Sequence, residues 1–287
     1  MDSPRDVVYT VHAPGKGFAW LATAWTIFAR ARMPWVLLLL AYYIALMLID
    51  LTPWIGELAV PLLKPVFAVG FLAAAWTQER GGTPQLGDLF RGFRSNLAAL
   101  LVIGAVFVVG ITVAVMSTML VDGGALLDAL TATTEPTDAG RKAWFDTLSS
   151  TLASPRTQLA MVFAAAVATP AMAAIWFAPG LVVFQDLPAR AALGWSMRAA
   201  FANWKPLAVW GLLVFVAAIV VPGVIVALVV LLVPPSIAMV VVLGVMIPYA
   251  FFFAATLHIC DYVAYRDVFH AGETLAPLPP ARERPSS

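Results

Sequence analysis

A chain of 287 residues that is 62% hydrophobic and only 11% charged is not a soluble domain, since soluble domains carry about 25% charged residues. A net charge of +1 gives no global field to attract nucleic acid or acidic partners, and the single cysteine, Cys260, excludes an intrachain disulfide. Six apolar stretches, each bounded by proline, tryptophan or basic residues, take up most of the chain and leave no room for a large soluble domain.

The N-terminal residues do not read as a cleavable signal, because Asp2 and Asp6 spoil a positive leader and no small-residue cleavage site follows the first apolar run. Phe18, Leu21, Trp25 and Phe28 then recur at helical spacing, with Lys16, Thr23 and Arg30 elsewhere on the wheel, as in a helix lying in the membrane interface. Pro34 opens the first span, 34–52, and the second covers 54–78. Lys64 is the one charge well inside a span and is flanked by Pro61 and Pro65. Counted from Trp54 at about 1.5 Å per residue it lies near 15 Å deep, where a charge costs roughly 2.5–3.5 kcal/mol. Two readings stand: a substrate-anion or coupling site in a proline-broken helix, or a shallow lysine snorkelling toward Glu57.

A second amphipathic segment carries Leu86, Leu89, Phe90, Phe93 and Leu97 on one face, with Asp88, Arg91 and Arg94 on the other, and leads into a span over 96–121. Gly123 and Gly124 end that span. The extracytoplasmic loop, about 122–156, predicts two short surface helices, one around Leu126, Leu127 and Leu130, the other around Trp144, Phe145, Leu148 and Leu152. In the fourth span, 157–184, Ala160, Ala164 and Ala168 stand four apart, a spacing that lets backbones approach and predicts a place at the centre of the bundle. The third amphipathic segment aligns Leu193, Met197, Phe201 and Trp204, with Arg190, Arg198, Asn203 and Lys205 around them; Pro206 opens span five, 206–233, and span six covers 236–263. The proline-rich tail, 271–287, reads as disordered.

The fold class is therefore all-α, a polytopic helical bundle in a single integral membrane domain over 1–270, because these runs lack the alternation and turn spacing of a barrel. Lysine and arginine fall almost entirely on one side of the six-span layout, while Asp50, Glu57, Asp122, Asp128, Glu135, Asp138 and Asp146 fall on the other. By the positive-inside rule both termini are cytoplasmic. The order of amphipathic helix followed by helical hairpin recurs three times and reads as an internal repeat.

Chemistry is sparse. His258 and Asp261 stand one turn apart near the cytoplasmic end of the last span and form a candidate polar cluster, either an interfacial cap or a proton or tautomer relay. Two such groups do not complete a zinc site. No Gly-x-Ser-x-Gly elbow or phosphate loop occurs, Ser117 and Ser196 have no neighbouring base, and His12 has no assigned role, so no cofactor, metal or catalytic residue is expected. Arg30, Arg32, Arg91, Arg94, Arg190, Arg198 and Lys205 flank the membrane beside aromatic residues, which favours anionic lipid headgroups over nucleic acid.

Several groups of residues carry a family resemblance: Trp20 with Trp25, Phe28 and Pro34; Pro53, Ile55 and Gly56, then Pro61, Pro65, Val69, Gly70 and Phe71; Leu89, Phe90, Gly92 and Phe93; Asp122, Gly123 and Gly124; Trp176 to Pro179, then Ser196, Phe201, Asn203 and Trp204. With these the chain resembles an uncharacterised family of proteobacterial inner-membrane proteins over nearly its whole length outside the tail. That family has no assigned active site, so the resemblance transfers no functional residue, and Lys64 stands where it implies an apolar one. More distantly, the three-copy layout looks like the membrane domain attached to some glycerophosphodiester phosphodiesterases, which implies a lipid setting. The leading expectation is a non-enzymatic cytoplasmic-membrane protein that engages lipid or protein partners, possible homo-oligomers among them, through its interfacial helices. The alternative is a transporter or channel for a small or amphipathic solute. An enzyme would require His258, Asp261 and a third group to converge.

Overall fold

The computed structural model describes residues 7–52, 55–132 and 137–271; the tail expected to be disordered lies outside them, as do Pro53, Trp54 and Glu135. All regular structure among the described residues is helical. Helix α1 (Lys16–Arg30) precedes the hairpin of α2 (Arg32–Asp50) and α3 (Ile55–Glu79). The one-turn α4 (Leu86–Leu89) and a 3-10 turn (Arg91–Arg94) precede α5 (Leu97–Ser117), which α6 (Met119–Asp122) continues. Helices α7 (Ala125–Thr131) and α8 (Asp138–Ala153) connect to α9 (Pro155–Trp176), and α10 (Ala178–Phe184) continues α9 past a break at Phe177. Helix α11 (Ala189–Ala202) precedes α12 (Trp204–Phe215), a π-turn (Val216–Val220), α13 (Val221–Leu232) and α14 (Pro235–His270). Six of these helical stretches are long and apolar enough to cross a membrane, and each lies within a few residues of its expected span except the last, which runs on to His270. At about 1.5 Å per residue its 36 residues reach some 54 Å, so α14 extends well beyond a hydrocarbon layer of about 30 Å.

Local sequence explains the irregularities. Pro222 cannot donate to Ala218, and the π-turn that ends at Val220 widens the helix to take its ring. The second amphipathic segment is not the continuous helix its stripe suggests. Its α-turn begins where the Gln85 N–H donates to Asp88 Oδ2 (2.9 Å), and it tightens into the 3-10 turn so that Gly92 can press on α3.

Packing follows a cyclic rule. Helix α1 lies on α14 and α12, the α4 and 3-10 segment lies on α3, and α11 lies on α9 and α10. Each short segment thus docks on the hairpin that precedes it in the ring, with the first closing onto the third. Two glycines permit the close approaches: a Cβ on Gly17 would collide with the Pro206 carbonyl, and one on Gly92 with the Val66 carbonyl. Inside lipid such contacts stabilise by packing rather than by excluding water.

The central helix is α3, not the alanine-rich fourth span. Val66, Phe67, Val69, Phe71 and Leu72 are all buried, and α3 packs against α2, α5 and α14. On α9 Ala160 is buried, whereas Ala164 and Ala168 are only partly covered, because α5 and α11 occupy one side and the other faces a cleft. The small residues bring α5 and α9 together; they do not centre α9 in the bundle.

Candidate functional site

At the basic end of the bundle, Arg30, Arg32, Arg94, Arg190, Arg198 and Lys205 are exposed and Arg91 is half-buried. Outward-facing aromatics accompany them: Phe18, Trp25, Phe90, Phe93, Phe201 and Trp204 are all exposed. The Arg198 guanidinium lies 5.1 Å from the Trp195 ring centroid and the Lys205 ammonium 5.9 Å from that of Trp204, which prearranges cation and ring side by side. Each amphipathic segment has two apolar faces. On α1 the face with Trp20, Ala24 and Phe28 is buried while Phe18 and Trp25 point out; on α11 small residues, Ala192, Ser196, Ala199 and Ala200, are buried while Met197 and Phe201 point out. Burial raises the Asp88 carboxyl above the usual carboxylate range, against the pull of the Gln85 N–H and the Arg91 charge.

Behind this surface lies a charged clasp that sequence reasoning did not assemble. Lys16 Nζ pairs with Asp267 Oδ2 at 2.8 Å, Arg266 pairs with Asp267 at 2.8 Å and with Glu79, and the Tyr262 hydroxyl donates to Glu79 Oε2 at 2.6 Å. The network joins the start of α1, the end of α3 and the end of α14. Residues 7–13, which form no regular element, cross the same end. Thr10 N–H donates to the Val268 carbonyl (2.7 Å), His12 N–H to Asn203 Oδ1 (2.9 Å), and Asn203 Nδ2 to the Thr10 carbonyl (3.0 Å). The His12 ring nitrogen lies 3.0 Å from the Asp267 carbonyl, so His12 is a structural tie. Gln78 fastens the α1–α2 corner to α3, accepting from Trp35 Nε1 and donating to the Ile27 carbonyl, both at 2.6 Å.

Ser196 has a definite job at the break between α9 and α10. Its hydroxyl accepts from Phe177 N–H (2.9 Å) and donates to the Ala173 carbonyl (2.8 Å). Those two backbone groups would bond directly in an unbroken helix. The serine thus sits inside the ladder that Pro179 bends open.

The polar groups of the spans converge deeper in the bundle. His258 does not sit in a cap at the bundle surface: its ring stacks on Phe71 (3.8 Å between centroids, 8° between planes) and meets Tyr42 edge-on, because α14 continues to His270. His258, Asp261, Trp176 and Tyr265 line a void of about 30 Å³ where α3, α10 and α14 meet. Tyr265 connects it outward, with its hydroxyl 3.4 Å from Gln185 Nε2 and 3.2 Å from His270 Nε2. His258 and Asp261 do not hydrogen-bond each other, and among the described residues no three His, Cys, Asp or Glu side chains form a metal-binding group.

Asp261 also lines a second cavity, of about 290 Å³, whose wall includes Lys64, Phe107, Trp176, Pro179 and Trp210. Lys64 is exposed at this cavity with its ammonium 5.2 Å from the Phe107 ring centroid, and no ion pair joins it to Glu57. The Trp176 Nε1–H is buried without an acceptor. Lys64 was visible in the sequence as the one charge well inside a span and Asp261 as half of a polar pair near the end of the last; nothing in the sequence placed them on one cavity.

No family model and no solved structure matches the chain. A probable inner membrane protein of Burkholderia thailandensis is 32% identical over 276 residues, an alignment that covers 93% of this chain and 96% of that protein.

Proposed function

The chain belongs to the family of this Burkholderia inner membrane protein, and from that premise we propose that it is a non-enzymatic, multi-pass protein of the cytoplasmic membrane, with both termini cytoplasmic, that engages anionic lipid through its short basic-end helices. The observation that carries this reading is the outward half of each amphipathic segment, where Trp25, Phe90, Phe93, Phe201 and Trp204 stay exposed beside Arg30, Arg94, Arg198 and Lys205 although the opposite faces are packed. Aromatic rings at headgroup depth with adjacent cations suit a surface worth about 1 kcal/mol per basic residue toward anionic lipid. The test is native mass spectrometry of protein in which Arg30, Arg91, Arg94 and Arg198 are all changed to glutamine. Retention of phosphatidylglycerol is expected to fall several-fold relative to wild type, and unchanged retention overturns the reading.

A second reading, passage of a small or amphipathic solute, is favoured by one specific observation: a cavity reaches Lys64 inside the bundle and is bordered by the helix break at Pro179. Uptake into proteoliposomes tests it.

A further inference from the structure

We infer that the cavity between Lys64 and Asp261 is a binding site for a zwitterionic group, an anionic phosphate or carboxylate held near Lys64 and an amine held near Asp261, presented either by a lipid headgroup or by a free solute. The inference shares its cavity with the solute reading above but does not require transport. Two opposite charges line one space without pairing with each other, and Asp261 has no hydrogen bond or ion pair to any described residue. An ionised carboxylate inside a membrane bundle is stabilised by a counter-charge, and Lys64 does not supply one. Ala68 borders both the cavity and the smaller void beside Asp261, and it stands one turn, about 6 Å, from Lys64 along α3. Both charges thus line the cavity, one from α3 and one from α14, and a ligand that neutralises both must itself be dipolar.

Two further features fit the two ends of such a ligand. The Phe107 ring, 5.2 Å from the Lys64 ammonium, holds that cation at the anionic end. The rings of Trp176 and Trp210, which line the cavity with Asp261, suit an amine. At about 290 Å³ the cavity stands at the small end of ligand pockets, large enough for a headgroup and too small for a lipid. A neighbouring, largely apolar groove of about 450 Å³ along α9, α11 and α12 shares Met172 and Trp176 with it, which leaves a path for acyl chains should the zwitterion be a headgroup.

The experiment uses the full chain in phosphatidylglycerol nanodiscs, which contain no amine. One arm measures equilibrium binding of radiolabelled O-phosphoethanolamine, the other the retention of phosphatidylethanolamine added to the protein and read by native mass spectrometry. Saturable binding in either arm is expected, and the arm that binds identifies the source as solute or headgroup. Lys64→Gln and Asp261→Asn are each expected to weaken it about ten- to hundredfold, as losing one charge-assisted hydrogen bond would. Lys64→Met removes the ammonium at an exposed position, is expected to weaken binding as much as Lys64→Gln, and serves as the decisive variant should either charge change fail to fold by circular dichroism. Absence of saturable binding in both arms overturns the inference. So does equal competition by inorganic phosphate or by ethanolamine alone, or binding by all folded variants within twofold of wild type. Binding without proteoliposome uptake keeps the site and removes the transport reading, whereas loss of phosphatidylglycerol retention in the quadruple arginine variant bears on the basic-end surface alone.

Discussion

Ser196→Ala isolates the cost of leaving a helix break open without its bridge. The serine is fully buried, and removing its oxygen strands the Phe177 N–H and the Ala173 carbonyl, which it now joins at 2.9 and 2.8 Å. Each buried backbone group left unpaired costs about 1–3 kcal/mol. Closing the ladder would recover both, but Pro179 prevents it, because its ring excludes the Ile175 carbonyl from the helical position. Partners that also exist in the unfolded membrane state reduce such penalties. A destabilisation of about 2–3 kcal/mol is therefore expected, at the low end of the sum of two such groups. The assay is reversible unfolding in mixed micelles of increasing dodecyl sulfate fraction, with Ser196→Thr, which retains the hydroxyl, as the comparison. A Ser196→Ala change within about 0.5 kcal/mol of wild type, the range of an ordinary surface substitution, would refute the bridging role.

Asp267→Asn leaves Lys16 and Arg266 facing a neutral amide at a side chain that is 7% exposed, and should cost about 2 kcal/mol in the same assay, between the exposed and fully buried ion-pair limits. Equal stability would mean that hydrogen bonds, not charge, hold the clasp. For orientation, a green fluorescent protein fused after residue 271 should fluoresce in cells, whereas a cysteine introduced at Ser150 should react with an impermeant maleimide added outside. Background labelling should be low, because Cys260, the only native cysteine, is buried against the Trp210 indole. Outside labelling of a cysteine at Arg30 instead would reverse the orientation.

The spans, the two loop helices and the short-helix and hairpin order were legible because each depends on local period and punctuation: Pro34 and Pro206, Gly123 and Gly124, the stripes of α1 and α11. What failed depends on contacts between segments. The alanines at 160, 164 and 168 announce close approach but do not say from how many sides. The centrality of α3 is instead written on its neighbours, in Gly92 of the 3-10 turn and Gly104 of α5, whose backbones press on Val66 and Leu62. His12 and Asn203 look like ordinary polar residues near helix ends, and their pairing has no periodic signature. Lys64 stood out as a charge inside a span, and His258 with Asp261 as a polar pair near the end of the last. Their meeting depends on spans two, four and six being neighbours, which hydropathy does not encode.

The cyclic docking also accounts for where the cavity lies. At the basic end three short segments tie each hairpin to the next, and the clasp of Lys16, Asp267, Arg266 and Glu79 reinforces the closure between the third hairpin and the first. The opposite end has no equivalent. There α7 and α8 pack mainly on each other, with the Trp144 indole donating to the Ala129 carbonyl at 3.1 Å, and among the described residues α9 has no extensive packing with α12, α13 or α14. On the half of the third hairpin away from the tied end Leu228, Leu231, Met239 and Val240 are exposed, and grooves lie between α9 and α12. Asp261 stands beside Tyr262 of the clasp, and Lys64 lines the same cavity from nearer the middle of α3. The Lys64 and Asp261 cavity thus lies where α9 meets the third hairpin only loosely.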